Sequence, residues 1–356
     1  MNAGRVPAAI ALVAIVAVVA VAAIIGVVAS PGSSSPTAPA ASQVVAASVA
    51  IAQSAAVSPS TSVAASPLAS AGSEASATAS ATPLAMGSDG VPRFDHIYLI
   101  MMENHAANSV IGNKSAPYLN SLVKAYGLAT NYTSIGHPSV PNYLALFSGD
   151  TFGIRDDLNR DLKAKNLADQ LEDNGLTWHV YEQDLPRACS RATSAQGGKD
   201  FLGEPGTYVR KHNPAISFTD ISGDPSRCAR ITRLAGFDPA AANYELIVPN
   251  LTNDMHDGTV AQGDAFLEAL VPKILGSPAF GSGLLFITWD EGSGTLGGGG
   301  QVATLVNADD VPTGFRSSKT HDHFSLLRTV QDAWGLGCMA HTCEANNLRE
   351  FFTATH

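Results

Sequence analysis

The sequence predicts an α/β fold in which helices cover both faces of a mostly parallel central sheet. Short apolar runs at 94–102 and 284–289 are typical of strands buried on both faces, as the strands of parallel sheets are. Between such runs, apolar residues recur at helical spacing, for example at Leu119, Leu122 and Val123. Acidic residues follow both runs, and α/β sheets place their sites at the carboxyl ends of buried strands.

The same patterns locate the other elements along the chain. We predict strands at 94–102, 177–181, 244–250, 284–289 and 301–307. We predict helices at 117–126, directly after Ser139, and at 163–174, 264–275 and 320–330. Pro272 predicts an interruption of the helix at 264–275. Either Asp322 or Ser325 can cap the last helix.

The first 90 residues differ from the rest in composition. Their only charged residues are Arg5, Glu74 and Asp89, whereas all 10 His and all four Cys follow residue 95. The uncharged run at 6–29 is long enough for a helix that crosses a bilayer, with Arg5 on the cytoplasmic side. We therefore predict a signal anchor with a transmembrane helix at 1–29.

The segment at 30–90 consists almost wholly of Ala, Ser, Pro, Thr, Val and Gly. This composition cannot bury a core, so we predict a disordered linker that works as a tether. The rest of the chain, 91–356, is long enough for one large domain. With an exported N-terminus, this domain would be extracytoplasmic, either anchored to the cell membrane or secreted.

The charge of the chain bears on its partners. A net charge of −10 and a pI of about 5.4 argue against a nucleic-acid partner, because nucleic-acid binding needs basic patches. A phosphate substrate would also gain no long-range attraction, so a bound cation would have to attract it locally.

Four cysteines, Cys189, Cys228, Cys338 and Cys343, suggest two disulfides in an exported protein. We favour Cys189–Cys228 and Cys338–Cys343 among the three pairings, because each pair lies in its own loop-like region. A zinc site is the alternative, although the spacings do not match Cys-x-x-Cys pairs.

Ser139 lies in the stretch Gly-His-Pro-Ser-Val-Pro-Asn-Tyr, before an apolar helical run. Pro138 and Pro141 restrict the backbone, and such a turn can present the Ser139 hydroxyl beside N–H groups that bind anions. Ser139 is therefore a candidate nucleophile that takes a phosphoryl group. The alternative is a proline-stiffened loop before a core helix.

Two pairs of polar residues, each with at least one carboxylate, follow predicted buried strands. Glu103 and Asn104 follow the first strand, and Asp290 and Glu291 follow the strand at 284–289. Adjacent carboxylates at a strand end repel each other unless a cation lies between them. The sequence therefore predicts a cation site where the two strands end.

Further candidates lie outside these two pairs. Lys211 and His212 could grip a phosphate, although a solvated basic loop explains them equally well. Asp254 and His256 follow a predicted strand and could act as ligands or as an acid–base pair. His323 opens the last helix, where a neutral imidazole could bind a metal or an anion.

The candidate residues belong to short motifs whose order along the chain resembles that of a known family. The chain carries Glu-Asn after the first strand, then His-Pro-Ser-x-Pro-Asn-Tyr, Lys-His-Asn-Pro, Asp-x-His-Asp-Gly, Trp-Asp-Glu and His-x-Ser-Leu-Leu-Arg-Thr. Over 94–337 it resembles the acid phosphatase/phospholipase C-type phosphoesterases of the alkaline phosphatase superfamily. The resemblance implies a three-layer sandwich and makes 91–356 the catalytic domain.

The resemblance also implies roles for the candidates. Metal ligands would be Glu103, Asn104, Ser139, Asp290, Glu291 and Asp254. Ser139 would be the nucleophile, and Asn142 would contact the phosphate. Asp254, His256 and His323 match the second metal site of two-metal members, a place where histidines often touch the phosphate directly. The chain departs from the pattern at His321, an extra histidine, and we choose His323 because it directly precedes Phe-Ser-Leu-Leu-Arg.

The predicted function is a metal-dependent phosphomonoesterase of the acid phosphatase type, with a phosphoseryl intermediate and phosphoinositides among its substrates. Lys211, His212, His256 and His323 would complete the phosphate site with Asn142, and His256 or His323 would assist the leaving group. The oxygen-rich ligand set favours Ca, Mg or Mn, with Zn as the alternative. The rival functions are a phospholipase C-type phosphodiesterase and an anchored protein that binds phosphorylated glycans or lipids without turnover.

Overall fold

The computed structural model describes residues 87–199, 205–293 and 299–352. The predicted membrane helix at 1–29 and nearly all of the predicted tether lie outside these residues. Within the described ranges, no helix has the length and apolar character needed to cross a membrane.

The strands confirm the predicted mostly parallel central sheet. In chain order they are β1 His96–Met102, β2 Gly127–Ala129, β3 Tyr132–Thr133, β4 Trp178–Glu182, β5 Ser194–Lys199, β6 Pro205–Val209, β7 Ile231–Arg233, β8 Tyr244–Val248, β9 Gly283–Trp289, β10 Thr304–Asn307, β11 Arg316–Ser317 and β12 His321–Asp322. The central sheet has the order β11-β2-β10-β9-β1-β8-β4-β7. Among the described strands of this sheet, only β10 runs antiparallel to its two neighbours, β9 and β2. The pairs β3–β12 and β5–β6 form two small separate sheets.

The α-helices connect these strands. They are α1 Ala107–Val110, α2 Pro117–Ala125, α3 Val140–Ser148, α4 Leu167–Asp173, α5 Thr219–Ser222, α6 Pro225–Cys228, α7 Val260–Leu275 and α8 His323–Trp334. Helix α3 packs against α8, and α2 packs against α7. Short 3₁₀ turns lie at Arg210–His212, Ala215–Ser217, Leu234–Gly236, Pro278–Ser282, Ala340–Cys343 and Arg349–Phe351.

Local side-chain contacts explain where the helix boundaries differ from the prediction. Helix α4 begins at Leu167, because Asn166 and Asp169 form a reciprocal capping box there. Helix α7 begins at Val260 for the same reason, with Thr259 as its cap. The predicted interruption at Pro272 is wrong, since α7 continues past this residue to Leu275. Asp322 caps α8 by accepting a hydrogen bond from the Ser325 amide at 2.9 Å.

The register of the two central strands positions the site. Met102, the last residue of β1, lies opposite Trp289, the last residue of β9. Parallel strands end at the same edge of a sheet, so the residues that follow emerge side by side. The Asp290 amide continues the pairing by donating to the Met102 carbonyl at 2.9 Å. Strand β8, parallel to β1 on its other side, ends at this edge too.

Both predicted disulfides are confirmed. Cys189 is joined to Cys228, and Cys338 is joined to Cys343. Because all four sulfur atoms are in disulfides, the alternative of a cysteine zinc site is wrong. The region between the first two cysteines, read from the sequence as loop-rich, also holds the β5–β6 pair and the short helices α5 and α6.

Candidate active site

Four carboxylates meet at the edge where β1, β8 and β9 end. Glu103 follows β1, Asp290 and Glu291 follow β9, and Asp254 lies in the loop after β8. All four are buried, with at most 1 % exposure. The Glu103 amide donates to the Asp254 carbonyl at 2.8 Å, which joins the two loops. The structure therefore brings together the carboxylates that the sequence placed at the ends of the two strands.

Ser139 lies against this cluster, directly before α3. Its hydroxyl donates to Glu103 Oε2 at 3.3 Å, and the side chain is 1 % exposed. Pro141 lies in the first turn of α3, where its missing N–H costs no helical hydrogen bond. The proline-rich stretch thus brings an alcohol oxygen into a group of buried carboxylates.

The carboxylates of the cluster are poorly compensated by the described residues. Asp254 Oδ2 and Asp290 Oδ2 have no hydrogen-bond partner among them. Burial and the neighbouring Glu291 raise the pKa of Asp290 to about 7. Burial and the charge of Asp157 raise the pKa of Glu291 to about 8.

The pKa values of the other two carboxylates, Glu103 and Asp254, are raised as well. Burial, followed by the charges of neighbouring carboxylates, raises the pKa values of Glu103 and Asp254 well above their usual range. Buried carboxylates with free oxygens are stabilised in their charged form by a cation. The residues present therefore fit a divalent metal, and their oxygen-rich chemistry fits a hard ion.

Two histidines extend the set of atoms that could hold a metal. Glu103, His212 and His256 each offer a ligand atom, and these atoms lie within 4.8 Å of one another. His212 Nε2 is 3.2 Å from Glu103 Oε1, and its Nδ1 is 3.6 Å from Asp254 Oδ2. Burial, with the charges of Lys211 and His256, holds the pKa of His212 well below its usual value. His212 is therefore neutral, the form in which imidazole binds metals.

His256 is less enclosed than His212. Its amide donates to Asp254 Oδ1 at 2.7 Å, and its Nδ1 lies 2.7 Å from Asp257 Oδ1. The preceding residue, Met255, has a backbone φ of 80°, a value that residues other than glycine rarely adopt. The loop thus holds the His256 ring beside His212, with 5.8 Å between the ring centres.

Asn142 forms hydrogen bonds within the loop that precedes Ser139. Its Oδ1 accepts from the amides of Ile135 and Gly136, at 2.9 and 3.2 Å. Its Nδ2 donates to the carbonyls of Gly136 and Pro138, at 3.0 and 3.3 Å. The buried side chain therefore fixes the loop before Ser139, and its contact with a phosphate stays a prediction.

His323 makes hydrogen bonds to protein groups through both of its ring nitrogens. Its Nε2 lies 2.7 Å from the Asp290 carbonyl, which can only accept, so Nε2 carries the proton. Its Nδ1 then accepts from the Tyr132 hydroxyl at 3.0 Å. Burial lowers the pKa of His323 to about 4, which keeps the ring neutral. With both ring nitrogens hydrogen-bonded to protein groups, His323 positions the Asp290 main chain.

Asn104 and Lys211 lie at the border of the cluster. The main-chain amide of Asn104 donates to Asp290 Oδ1 at 3.0 Å, and the Asn104 side chain is half-buried. Lys211 Nζ lies 2.7 Å from Asp157 Oδ2. The charge of Lys211 also opposes the rise in the pKa values of Glu103 and Glu291. Lys211 thus acts on the cluster electrostatically while it is paired with Asp157.

A model of the Phosphoesterase family matches residues 113–337, more than half of the chain. The chain belongs to the Phosphoesterase family. It is 32% identical over 256 residues to a phosphatidylinositol-3-phosphatase of Mycobacterium tuberculosis, covering 71% of this chain and 81% of that protein. It is 29% identical over 275 residues to a probable acid phosphatase of Kluyveromyces lactis, covering 74% of this chain and 64% of that protein.

Membership of this family, together with the relatives named as phosphatases, shows that the chain is a hydrolase that acts on phosphoric esters. A solved structure described as a protein in the alkaline phosphatase superfamily, from Vibrio parahaemolyticus, has a TM-score of 0.50 and 12% identity to this chain. The match covers 74% of this chain and 71% of that one, and it shows a shared fold. The chain spans just under two thirds of the length of the Kluyveromyces relative.

Three residues of this phosphoesterase site were missed in the sequence. His137 Nδ1 lies 2.6 Å from Glu291 Oε2, and its position two residues before Ser139 could have indicated it. The Tyr143 ring stacks on His212 with 5.1 Å between ring centres. Asp157 accepts from the Val140 amide at 3.2 Å as well as from Lys211. No local pattern marks Asp157, because its contact depends on how the loop after α3 folds back.

Proposed function

We propose that this phosphoesterase is a metal-dependent phosphomonoesterase of the acid phosphatase type, with Ser139 as its nucleophile. The observation that supports this proposal most strongly is the 3.3 Å contact between Ser139 Oγ and Glu103 Oε2, inside a buried group of four carboxylates. The relatives named as phosphatases support a phosphomonoester substrate, and the mycobacterial relative supports phosphoinositides among the substrates.

A divalent cation is part of this proposal. The residues that would hold it are the carboxylates Glu103, Asp254, Asp290 and Glu291, with Ser139 and the neutral His212 at their border and Asn104 close by. When bound, the cation would lower the pKa of the Ser139 hydroxyl and neutralise charge on the phosphate. Ca, Mg or Mn suits the carboxylates, and Zn suits a set that includes the imidazoles of His212 and His256.

Three residues take part in the bond-making and proton-transfer steps of the proposed reaction: Ser139, Glu103 and His256. Ser139 Oγ attacks phosphorus while its proton passes to Glu103, which already accepts its hydrogen bond. The bond from phosphorus to the alcohol oxygen breaks, and His256 gives that oxygen a proton. Water then attacks the phosphoseryl group and returns a proton to His256. The bond between Oγ and phosphorus breaks, Ser139 recovers its proton from Glu103, and inorganic phosphate leaves.

Other residues support these steps without changing bonds. His323 and Asn142 fix the turns that present Asp290 and Ser139. Lys211, close to the carboxylates, supplies positive charge that offsets part of the charge of an incoming phosphate. The phosphate oxygens would then be stabilised by Lys211 and by the imidazoles of His212 and His256.

We also propose an extracytoplasmic location. The uncharged segment at 6–29 and the Ala/Ser/Pro-rich segment at 30–90 support an anchor and a tether, and the two disulfides fit an oxidising compartment. We further propose that the helix pairs α3–α8 and α2–α7 cover opposite faces of the sheet, as in a three-layer sandwich.

A direct assay separates this function from its rivals. The wild type should release phosphate from p-nitrophenyl phosphate, and Ser139→Ala should lower kcat about ten-thousandfold. Ser121→Ala, at an exposed serine of α2, is the matched control and should keep normal turnover. Choline release from phosphatidylcholine in excess of phosphate release would favour a phosphodiesterase. Binding of phosphate esters without turnover would favour an anchored binding protein, and normal turnover by Ser139→Ala would disprove the nucleophile.

A further inference from the structure

A cavity of about 370 Å³ opens beside the loop that presents Ser139. Its apolar wall is formed by Ile135, Pro141 and Ile154, and its polar wall by His137, Thr151 and Arg155. Neither Ser139 nor any of the four carboxylates lines this cavity, so the proposed reaction at Ser139 does not itself fill it. The cavity is therefore available for another part of the substrate.

His137 joins the cavity to the carboxylate cluster. His137 Nδ1 lies 2.6 Å from Glu291 Oε2, and His137 also lines the cavity. Pro141, two residues after Ser139, lines the cavity as well. A substrate whose phosphate reaches Ser139 can therefore place a neighbouring group in this cavity.

The charges around the cavity indicate which group that is. Arg155 is exposed and lines the cavity, and within the described ranges it has no ion pair. The two acids that follow it are engaged elsewhere: Asp156 pairs with Arg160 at 2.5 Å, and Asp157 pairs with Lys211 at 2.7 Å. A guanidinium with no carboxylate partner matches a phosphate or carboxylate, which it can bind through two parallel hydrogen bonds.

We infer that the cavity is a substrate subsite in which Arg155 binds a second anionic group, carried on the alcohol portion of the phosphomonoester. This inference rests on the proposed phosphomonoesterase function and adds the substrate class. The apolar wall of Ile135, Pro141 and Ile154 would cover the carbon skeleton between the two anionic groups. Arg155 is thus a specificity-determining residue, apart from the groups that break bonds.

The test compares substrates that differ in the second anion. Inositol 3-phosphate carries one phosphate, and glycerophosphoinositol 3-phosphate adds a second, anionic phosphodiester. The wild type should show the higher kcat/KM on the second compound. Arg155→Ala should lower the ratio of the two kcat/KM values about tenfold, the effect of losing one charge-assisted hydrogen-bonding partner. Arg155→Lys should restore part of the ratio, and Arg155→Glu should lower it further.

The matched control is Arg187→Ala, which changes another exposed arginine that does not line this cavity and should leave the ratio at its wild-type value. Thermal unfolding of each variant checks that the fold is intact. A third arm presents the same headgroup as phosphatidylinositol 3-phosphate in phosphatidylcholine vesicles. Loss of turnover by Arg155→Ala in the vesicles identifies a lipid headgroup as a source of the second anion, and loss confined to the free compound identifies a soluble ester.

The outcomes separate the two proposals. An unchanged ratio in Arg155→Ala, or a wild type with no preference for the second anion, would overturn the subsite while the phosphomonoesterase function stands. A wild type that releases no phosphate from p-nitrophenyl phosphate or from either inositol ester would overturn both.

Discussion

His323 donates from Nε2 to the main-chain carbonyl of Asp290 at 2.7 Å, so a buried, neutral histidine fixes the turn that presents two carboxylates. The Tyr132 hydroxyl completes this arrangement by donating to the other ring nitrogen. Residues that orient metal ligands in this way affect metal affinity and activity almost as strongly as the ligands themselves.

Replacing His323 should weaken metal binding as well as turnover. His323→Ala leaves the Asp290 carbonyl and the Tyr132 hydroxyl without partners, and we expect metal affinity to fall about 10- to 100-fold. Isothermal titration with Mn²⁺ measures this change. His341→Ala, at a histidine with a 56% exposed side chain, is the control and should bind as the wild type does. If His323→Ala bound metal normally and lost only turnover, His323 would be a catalytic group and the positioning role would be wrong.

Asn142→Ala should destabilise the protein through the loop before Ser139. The change removes the acceptor for two amides and the donor for two carbonyls, and we expect a loss of about 2 kcal/mol in the free energy of unfolding. Urea unfolding measures this loss, with Asn108→Ala as the exposed control. A weaker inhibition by inorganic phosphate without any loss of stability would instead indicate a direct phosphate contact.

Glu350 should make folding stability depend on pH in the acidic range. Burial alone would raise its pKa, but hydrogen bonds from His321 and Ser317, at 2.7 and 2.6 Å, outweigh it and lower the pKa to about 2. The folded pKa is below the unfolded value of about 4.5, so the stabilisation is complete above pH 4.5 and is lost as the pH falls toward 2.

The measurement is the free energy of unfolding of Glu350→Gln and of the wild type across this window. The difference between them should shrink by about 2 to 3 kcal/mol between pH 5 and pH 2. Glu344→Gln, at an exposed position in the same segment, should show no such trend. A difference that stays constant with pH would show that Glu350 acts through packing alone.

The two strand ends of the site were predictable because the signal is local. An apolar run followed by acids marks Glu103 and Asp290, and parallel pairing brings such ends to one edge of the sheet. Ser139 was predictable from its flanking prolines. The Cys189–Cys228 disulfide followed from where the cysteines lie in the chain.

The directions in which side chains point could not be predicted in this way. Asn142 and His323 occupy the expected positions, but the locations of their hydrogen-bond partners, which are main-chain groups and the Tyr132 hydroxyl, depend on the finished fold. Asp157 could not be predicted, because it contacts Lys211 and Val140 only after the loop that carries it has folded back. A pattern in the sequence identifies a residue near the site, whereas its role depends on which partners the tertiary structure provides.

The proposed cation can be tested by thermal unfolding of the wild type and Asp290→Asn, each with EDTA and with added Mn²⁺. Mn²⁺ should raise the Tm of the wild type by several degrees over the EDTA sample. Asp290→Asn should lose this rise, and in EDTA it should be more stable than the wild type, because it removes one of four mutually repelling carboxylates. A wild-type Tm and phosphatase activity that do not change on removal of metal would contradict a shared cation at Glu103, Asp290 and Ser139.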